Sequence, residues 1–276
     1  MNEQISAWRS VASGWERRQD TFRDATVALS KALVDAIDPQ PGETILELAA
    51  GIGDTGFLAA SRLGPEGCLL STDVAPEMVD AAARRAATLG LENVEFAVAD
   101  MTALELGDSS VDGILCRFGV MLVVDARAAC REMARVLRPG GRAALAVWAA
   151  ADVNPWISAT GREALELGFT DPPERDAPGP FRFADSERLT SLLERAGLEV
   201  VSVDDVEVRW RAPSLDGWWD TILDTSRMLS VLVAGLDAAQ IGRLRAAADS
   251  RMAQFVASDG SLEAPGLARV VLAQVP

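Results

Sequence analysis

The stretch ILELAAGIGDTG, residues 45–56, decides how the rest of the chain is interpreted. A short apolar run leads directly into Gly51, Gly53 and Gly56, which have the spacing G-x-G-x-x-G. A strand that ends in such a turn lets backbone approach a nucleotide closely. This spacing is the fingerprint of dinucleotide-binding proteins, so the first hypothesis is an NAD enzyme.

Short apolar strands and helices alternate after this stretch. We predict strands at TILEL, CLLSTD, VEFAVAD, VDGILCR and RAALAVW, with helices near residues 55–63, 76–89 and 126–137. Such alternation is typical of a parallel sheet covered on both faces. The segment RPGG at 138–141 is predicted to end a helix and to turn the chain into a strand. The predicted fold class is therefore α/β, with a doubly wound sheet.

The segments on either side of this region are predicted to be mainly helical. Apolar residues recur at steps of three and four over residues 3–37, and residues 214–257 also read as helices. The segment EVVSVDDVEVRWR is predicted to be a strand, and ARVVLAQV a last one. We expect the two helical segments to close over the ligand site as a lid.

Composition excludes several classes of partner. The chain has 276 residues, 49% of them hydrophobic, which is enough for a packed core. Its 41 acidic and 26 basic side chains give a net charge of −15, which would repel nucleic acid. There is no apolar run of the roughly 20 residues that a membrane span needs, and the polar start does not resemble a signal peptide. We therefore expect a cytoplasmic protein.

The chain contains no His and no Tyr. Their absence removes the usual general base and the commonest metal ligand, and leaves Asp, Glu, Lys and Cys for proton transfer. Cys68, Cys116 and Cys130 are isolated in apolar surroundings. They are interpreted as small buried hydrophobic residues rather than as metal ligands or a nucleophile, and no metal is predicted.

Three acidic residues follow or end three successive strands and distinguish between cofactors. Asp73 could accept hydrogen bonds from a ribose, which suits NAD and S-adenosylmethionine equally, or it could cap the next helix. Glu47 would be costly beside a pyrophosphate but favourable beside a sulfonium and an ammonium group. Asp100 is suited to an adenine amino group, with Met101 against the ring. Together they favour a cationic nucleoside without phosphate.

Five segments carry a resemblance to a known family. ILELAAGIGDTG, STDVAPEMVDAA, VEFAVADMTAL, DSSVDGILCRFGVMLVVD and EMARVLRPGGRAALAVW resemble the class I S-adenosylmethionine-dependent methyltransferases, in particular the ubiquinone and menaquinone biosynthesis C-methyltransferase-like group. The resemblance covers about residues 42–150 in order and spacing. It implies a Rossmann-like methyltransferase fold, with a seven-stranded, mostly parallel sheet whose last strand is antiparallel.

The resemblance also implies a set of cofactor-binding residues. The methionine part would lie along Glu47, Ala49, Gly51 and Gly53, the ribose at Asp73, and the adenine against Val74, Met78, Asp100 and Met101. Ala49 and Ala50 depart from the GC or AC that is common at this position. Arg117 could pair with the methionine carboxylate or orient an acidic acceptor; the alternative is a simple ion pair.

The predicted organisation has three segments within one compact domain. Residues 1–40 form an N-terminal helical lid, residues 41–150 the S-adenosylmethionine-binding core, and residues 151–276 the rest of the sheet with an acceptor-binding helical insertion near the C-terminus. Aromatic and apolar side chains are the candidates for the acceptor pocket, with core packing as the alternative. These candidates are Trp15, Phe118, Met121, Trp148, Trp218 and Trp219; because the last two are adjacent on a helix, we expect only one of them to face the pocket.

The predicted function is methyl transfer from S-adenosylmethionine to a small, aromatic or apolar organic acceptor at carbon, nitrogen or oxygen, with S-adenosylhomocysteine as product. Two alternatives are non-methylating chemistry on the same fold, such as cyclisation or decarboxylation, and a non-catalytic cofactor-binding partner protein. The catalytic residue is unknown, and the oligomeric state, monomer or homodimer, stays open. Conceivable bases are Glu16, Asp20, Asp220 and Asp224.

Overall fold

A computed structural model describes residues 8–9, 11–174 and 176–276. Its centre is a seven-stranded sheet with the strand order β3-β2-β1-β4-β5-β7-β6. The strands are β1 (Thr44–Leu48), β2 (Cys68–Asp73), β3 (Val94–Val98), β4 (Val111–Arg117), β5 (Leu137–Trp148), β6 (Glu199–Ala212) and β7 (Leu262–Gln274).

The sheet is parallel over its first five strands. β1 pairs in parallel with β2 and β4, β2 with β3, and β4 with β5. β7 pairs with β5 in the antiparallel sense. This confirms the predicted doubly wound, mostly parallel sheet with an antiparallel last strand. Because parallel strands point the same way, the carboxyl ends of β1 to β5 lie at one edge of the sheet, which is where ligands bind in such folds.

The interior strands are almost entirely buried. In β1, Ile45, Leu46 and Leu48 are each at most 1% exposed, and Ile114 and Leu115 of β4 are 0% exposed. Continuous apolar burial without alternation is expected where helices cover both faces of a parallel sheet. The first strand therefore carries its one acidic residue into a buried environment.

The described part of the N-terminal segment, predicted to be helical over residues 3–37, contains two helices. These are α1 (Ala12–Arg17) and α2 (Gln19–Ile37), with a turn at Arg18 between them. A Cβ atom on Gly14 would lie 2.0 Å from the backbone oxygen of Asp224, so α1 packs very closely against that segment. Residues 3–7 and 10 of the predicted helical segment lie outside the described residues.

The remaining helices alternate with the strands of unit 2 or lie in the C-terminal half of the chain. Three of them confirm the helices predicted within residues 214–257, whereas α6, which begins at a proline, was not predicted. RPGG lies within β5 and not between helix and strand, although Gly140 has a φ of 76°. The helices are α3 (Gly56–Leu63), α4 (Pro76–Leu89), α5 (Ala126–Val136), α6 (Pro155–Glu166), α7 (Ser186–Arg195), α8 (Leu215–Thr225), α9 (Arg227–Ala234) and α10 (Ala238–Met252).

The chain divides into two compact units. Unit 1 takes in the described residues of Met1–Thr26, Ala150–Ala177 and Glu207–Leu267, and unit 2 consists of Val27–Ala149, Pro178–Val206 and Ala268–Pro276. Unit 2 contains β1 to β5 and the glycine turn, whereas unit 1 contains α1, α6 and α8 to α10. The three-segment organisation and the lid stay predictions. Within the described residues, no helix is long and apolar enough to cross a membrane.

Candidate functional site

Glu47 lies in β1 with its side chain buried, at 3% exposure. Its Oε1 accepts a hydrogen bond from the Gly56 N–H at 2.8 Å, and its Oε2 accepts one from Ser71 Oγ at 3.4 Å. Burial raises the pKa of this carboxyl to about 7, although the Gly56 N–H and the Arg117 guanidinium favour the ionised form. A further cation beside Glu47 would favour the ionised form more strongly.

Gly56, the third glycine of the fingerprint, is required by this carboxylate. It is the first residue of α3, and a Cβ atom there would lie 2.2 Å from Glu47 Oε2 and 2.9 Å from Leu69 Cδ2. The Glu47 carboxylate therefore satisfies one of the N–H groups that a helix start leaves unpaired. Sequence reasoning attributes the glycines to a close approach of ligand; this one instead accommodates a side chain of the protein.

The turn between β1 and α3 uses left-handed backbone conformations. Ala49, Gly51 and Gly53 have φ values of 51°, 56° and 85°. A Cβ atom on Gly53 would lie 2.4 Å from the ring of Phe57, whereas one on Gly51 would meet nothing within 4 Å. Ala49 takes a conformation that glycine adopts more readily, so an alanine here costs backbone strain that the glycine of the GC form would avoid.

We expect Ala49→Gly to stabilise the protein by up to about 1 kcal/mol, since glycine removes the left-handed strain at the cost of some backbone entropy. The change in stability is measured by thermal unfolding with and without S-adenosylhomocysteine. Ala50→Gly in the same turn is the control and should destabilise, because Ala50 is 7% exposed and has no positive φ. If Ala49→Gly were less stable than the wild type, the conclusion that Ala49 strains the backbone would be wrong.

Asp73 connects the end of β2 to the glycine turn. Its Oδ2 accepts a hydrogen bond from the Gly51 N–H at 2.9 Å, and its Oδ1 accepts one from the Ala75 N–H at 3.0 Å. The N-cap of α4 is Ala75, so the alternative in which Asp73 caps this helix is wrong. Burial raises the pKa of Asp73 against the effect of these N–H groups. Each oxygen keeps a second lone pair that could accept from a ribose hydroxyl.

Asp100 and the predicted adenine contacts lie after β3 and around the start of α4. Asp100 Oδ1 accepts hydrogen bonds from the N–H and the hydroxyl of Thr102, at 2.9 and 2.7 Å. Among the described residues, nothing donates to its Oδ2. Met101 and Met78 are 7% and 3% exposed, and Val74 is half-buried. Their contact with adenine stays a prediction.

Gly119 brings three strand ends together and was missed from the sequence. A Cβ atom on it would lie 2.5 Å from the Cβ of Ala49 and 3.1 Å from Cε of Met101. The segments that follow β1, β3 and β4 therefore meet at this glycine. The only sequence signal was a glycine two residues after a predicted strand end, which is too common to interpret by itself.

Arg117, at the end of β4, forms an ion pair. Its Nη2 lies 3.2 Å from Asp54 Oδ2, and its Nη1 donates to Ser30 Oγ at 3.3 Å. Asp54, in the glycine turn, also pairs with Arg85 of α4. The ion-pair alternative is thus observed, and contact of Arg117 with a ligand stays a prediction. Sequence reasoning missed both Asp54 and Arg85.

The acceptor candidates in unit 2 follow β4 and end β5. The rings of Phe118 and Trp148 stack with their centroids 4.0 Å apart and an interplanar angle of 17°. Phe118 has a φ of 64°, a left-handed conformation that bulky residues rarely adopt. Met121 is 2% exposed, and its carbonyl accepts from the Gly179 N–H at 3.0 Å. Trp148 is 2% exposed, so of this stacked pair only the half-buried Phe118 is accessible at the carboxyl ends of these strands.

The acceptor candidates in unit 1 pack among other aromatic and charged side chains. Trp15 is half-buried, with its ring centroid 4.2 Å from that of Phe22. Trp218 is 0% exposed, and its indole N–H donates to the Trp156 carbonyl at 3.0 Å. Trp219 is 4% exposed, so both members of the adjacent pair are buried. A role of these residues in acceptor binding stays a prediction.

The described residues are poor in general bases. Burial raises the pKa of Cys116 and of Cys130 to about 12 and also raises that of Cys68, so none is a ready nucleophile. Burial of Asp224 is outweighed by hydrogen bonds from Arg17 and Arg18, which lower its pKa and make it a weak base. Within the described ranges, no group of three or more His, Cys, Asp or Glu could hold a metal ion.

Comparisons with known proteins agree with this fold. A family profile described as "Methyltransferase domain" matches residues 45–141. A ubiquinone/menaquinone biosynthesis C-methyltransferase UbiE of Acidiphilium cryptum is 34% identical over 206 residues, 70% of this chain and 81% of the relative. The aklanonic acid methyltransferase DauC of Streptomyces sp. strain C5 is 33% identical over 205 residues, 73% and 79% of the two chains. A crystal structure of a SAM dependent methyltransferase from Aquifex aeolicus aligns with a TM-score of 0.53 at 22% identity, covering 70% of this chain and 90% of that one.

The chain belongs to the class I S-adenosylmethionine-dependent methyltransferases. Within that class it is similar to the ubiquinone and menaquinone C-methyltransferase group, as the sequence motifs predicted. Its cofactor is S-adenosylmethionine and its general reaction is methyl transfer. The first hypothesis, an NAD enzyme based on the glycine spacing alone, is wrong.

Proposed function

We propose that this methyltransferase acts on a small, aromatic or apolar organic acceptor, without a metal ion, and that its cofactor binds along the glycine turn of unit 2. One observation supports this position of the cofactor. Two buried carboxyl groups with raised pKa, Glu47 and Asp73, lie on adjacent strands and are both hydrogen-bonded to N–H groups around that turn. Carboxyl groups held in this way suit a ligand with a cationic end and a ribose.

The residues of unit 2 fit the parts of this cofactor. Glu47 would hold the ammonium end, directly or through water, and Asp73 would accept from the ribose hydroxyls. Asp100 Oδ2 would accept from the adenine amino group, with Met101 and Met78 as apolar contacts. The cofactor supplies an electrophilic methyl group on a sulfonium. The protein then needs to align the acceptor with that methyl group and to exclude water.

The lack of bases restricts the acceptor. Without His or Tyr, and with cysteines whose pKa values are raised, the protein has few groups to remove a proton from a weak nucleophile. We therefore propose an acceptor whose nucleophile is already activated: an electron-rich ring carbon, an enolisable carbon or a neutral amine. A phenol deprotonated by a carboxylate also fits these residues.

Phe118 and the relatives support a ring-bearing acceptor. Phe118 is half-buried at the carboxyl end of β4 and stacks on the buried Trp148 ring, and a flat acceptor ring could bind to Phe118 by offset or edge contacts. One relative is named for a quinone pathway and the other for an organic acid, aklanonic acid. We propose that Phe118 contacts the acceptor.

The test is an acceptor screen that measures both S-adenosylhomocysteine release and product mass. Hydroquinones, hydroxyarenes and aryl β-ketoesters form the panel. We expect S-adenosylhomocysteine in a one-to-one ratio with a product that has gained a methyl group. Product without S-adenosylhomocysteine would instead indicate the non-methylating alternative, and cofactor binding without any product would indicate a non-catalytic partner protein.

For an acceptor found in this screen, we expect Phe118→Leu to raise KM roughly tenfold, because an aromatic contact is lost. The KM for S-adenosylmethionine should change less than threefold. Phe169→Leu is a matched control, since Phe169 is also half-buried but lies in unit 1 beside Arg243. An unchanged acceptor KM in Phe118→Leu would remove Phe118 from the acceptor site.

A further inference from the structure

Arg85 of α4 contacts the glycine turn at several points. Its Nη1 donates to the Ile52 carbonyl at 3.0 Å and also binds Asp54 Oδ1. Its guanidinium lies 5.7 Å from the ring centroid of Phe57, the ring that fills the space beside Gly53. The Arg85 side chain is 16% exposed, so these contacts are largely sheltered from water.

Asp54 joins Arg85 to Arg117. Its side chain is only 3% exposed, with Oδ1 paired to Arg85 and Oδ2 lying 3.2 Å from Arg117. Two guanidinium groups thus share one buried carboxylate, which leaves this group with a net positive charge. A charge that is sheltered from water acts more strongly on its neighbours than an exposed one.

The group lies beside Glu47. Both Arg117 and Asp54 act electrostatically on the Glu47 carboxyl, the first lowering and the second raising its pKa. Positive charge at Arg117 and a carboxyl at Glu47 are therefore neighbours at one edge of the sheet. They are suited to the two ends of a zwitterion, a carboxylate and an ammonium group, respectively.

We propose that Arg85 is a positioning residue for cofactor binding, because it neutralises Asp54 and so leaves the positive charge of Arg117 to act on the carboxylate of the cofactor's methionine part. This inference rests on the proposed function, in which the methionine part lies along the glycine turn. Without Arg85, Asp54 would cancel the charge of Arg117. The effect of Arg85 on binding therefore passes through Asp54 and concerns only ligands that carry the carboxylate.

Two ligands separate positioning from a structural role. S-adenosylhomocysteine has the amino-acid part, whereas 5′-methylthioadenosine has the adenosine and sulfur without it. In calorimetric titrations of the full chain, we expect Arg85→Gln to weaken the binding of S-adenosylhomocysteine roughly tenfold and that of 5′-methylthioadenosine less than twofold. Arg84→Gln, with the same charge change at the exposed neighbouring position, should leave both affinities unchanged.

A second variant tests the route through Asp54. In Asp54→Asn/Arg85→Gln the carboxylate that would cancel Arg117 is also gone, so affinity for S-adenosylhomocysteine should return to within about threefold of the wild type. Arg85→Lys, which keeps the charge, should lie between wild type and Arg85→Gln. If Arg85→Gln does not fold, the double variant and Arg85→Lys still carry the comparison.

Several results would overturn the inference. If Arg85→Gln lost affinity equally for both ligands, Arg85 would only support the turn. If it lost affinity for neither, Arg85 would have no role in binding. A double variant that binds S-adenosylhomocysteine no better than Arg85→Gln would exclude the route through Asp54. Failure of the wild type to bind S-adenosylhomocysteine would instead contradict the proposed cofactor placement itself, which is a different result from any of these.

Discussion

Replacing Glu47 by Gln is expected to weaken S-adenosylmethionine binding roughly 10- to 100-fold, since a hydrogen bond to a charged group contributes about 1.5–3 kcal/mol. Gln keeps an oxygen that can accept from the Gly56 N–H, so the start of α3 should stay intact. Calorimetric titration at pH 8 measures the loss. Glu66→Gln, an exposed acid with the same charge change, is the control and should bind like the wild type.

When no cofactor is present, the effect of the same substitution on stability should depend on pH. Because the pKa of Glu47 is raised to about 7 in the folded protein, the folded state holds a proton that the unfolded state releases above about pH 4.5. The free energy of unfolding of the wild type should therefore fall between these pH values and then level off, a loss on the order of 3 kcal/mol. The glutamine side chain of the variant has no proton to lose in this range.

Glu47→Gln should consequently match the wild type near pH 5 and be more stable near pH 8, as measured by urea unfolding at both pH values. Binding gives a second readout of the same proton. In the wild type, affinity for S-adenosylmethionine should rise with pH up to about 7, and in Glu47→Gln it should be flat. Parallel pH profiles for the two proteins would show that Glu47 does not titrate in this range.

Gly56→Ala is expected to destabilise the protein by about 1–3 kcal/mol and to abolish measurable cofactor binding, because the added methyl group overlaps Glu47 Oε2. The cause is steric, since Gly56 is not among the glycines with positive φ. Urea unfolding and calorimetry give the two quantities. Gly161→Ala is the control: it lies within α6 with nothing near its Cβ position, and should slightly stabilise.

A double variant shows whether Glu47 is the cause. In a Glu47→Ala background, the cost of Gly56→Ala should fall by more than half, leaving only the closer approach to Leu69 Cδ2. If the stability costs of the two substitutions simply add, the Glu47 carboxylate is not the reason that position 56 requires glycine. The third residue of the fingerprint would then need another explanation.

Local patterns were enough to predict the sheet and the position of the glycine turn. The apolar runs of strand length and the acids Glu47 and Asp73 can be read directly from the sequence, because each strand carries its own local signal and each acid lies at or next to the last residue of its strand. The turn at Arg18 within the helical segment predicted over residues 3–37 was not predicted. Arg17 and Arg18 pair there with Asp224, about 200 residues further along the chain, and no local pattern shows such a contact. α6 was missed where the regular alternation ends.

The charged group behind the turn could not have been predicted in this way. Asp54 is separated by 31 residues from Arg85 and by 63 from Arg117, and each looks like an ordinary surface charge in its own segment. Only the fold brings Arg85 and Arg117 to the buried carboxylate of Asp54. Trp218 and Trp219 are both buried, which does not show which of them faces the acceptor, so the expectation that only one of them does so stays a prediction.

The position of β7 between β5 and β6 restricts the order in which the chain can fold during synthesis. The strands β1 to β5 are complete once residue 148 has left the ribosome, and they are neighbours in the sheet in the order β3-β2-β1-β4-β5. β6 emerges next but has no place to pair until β7, at residues 262–274, has been made. A nascent chain therefore carries β6 as an unpaired strand over roughly fifty residues of synthesis, which at about 5–20 residues per second lasts several seconds. Because an unpaired strand can pair with another chain, we expect this interval to expose the nascent chain to aggregation and to chaperones.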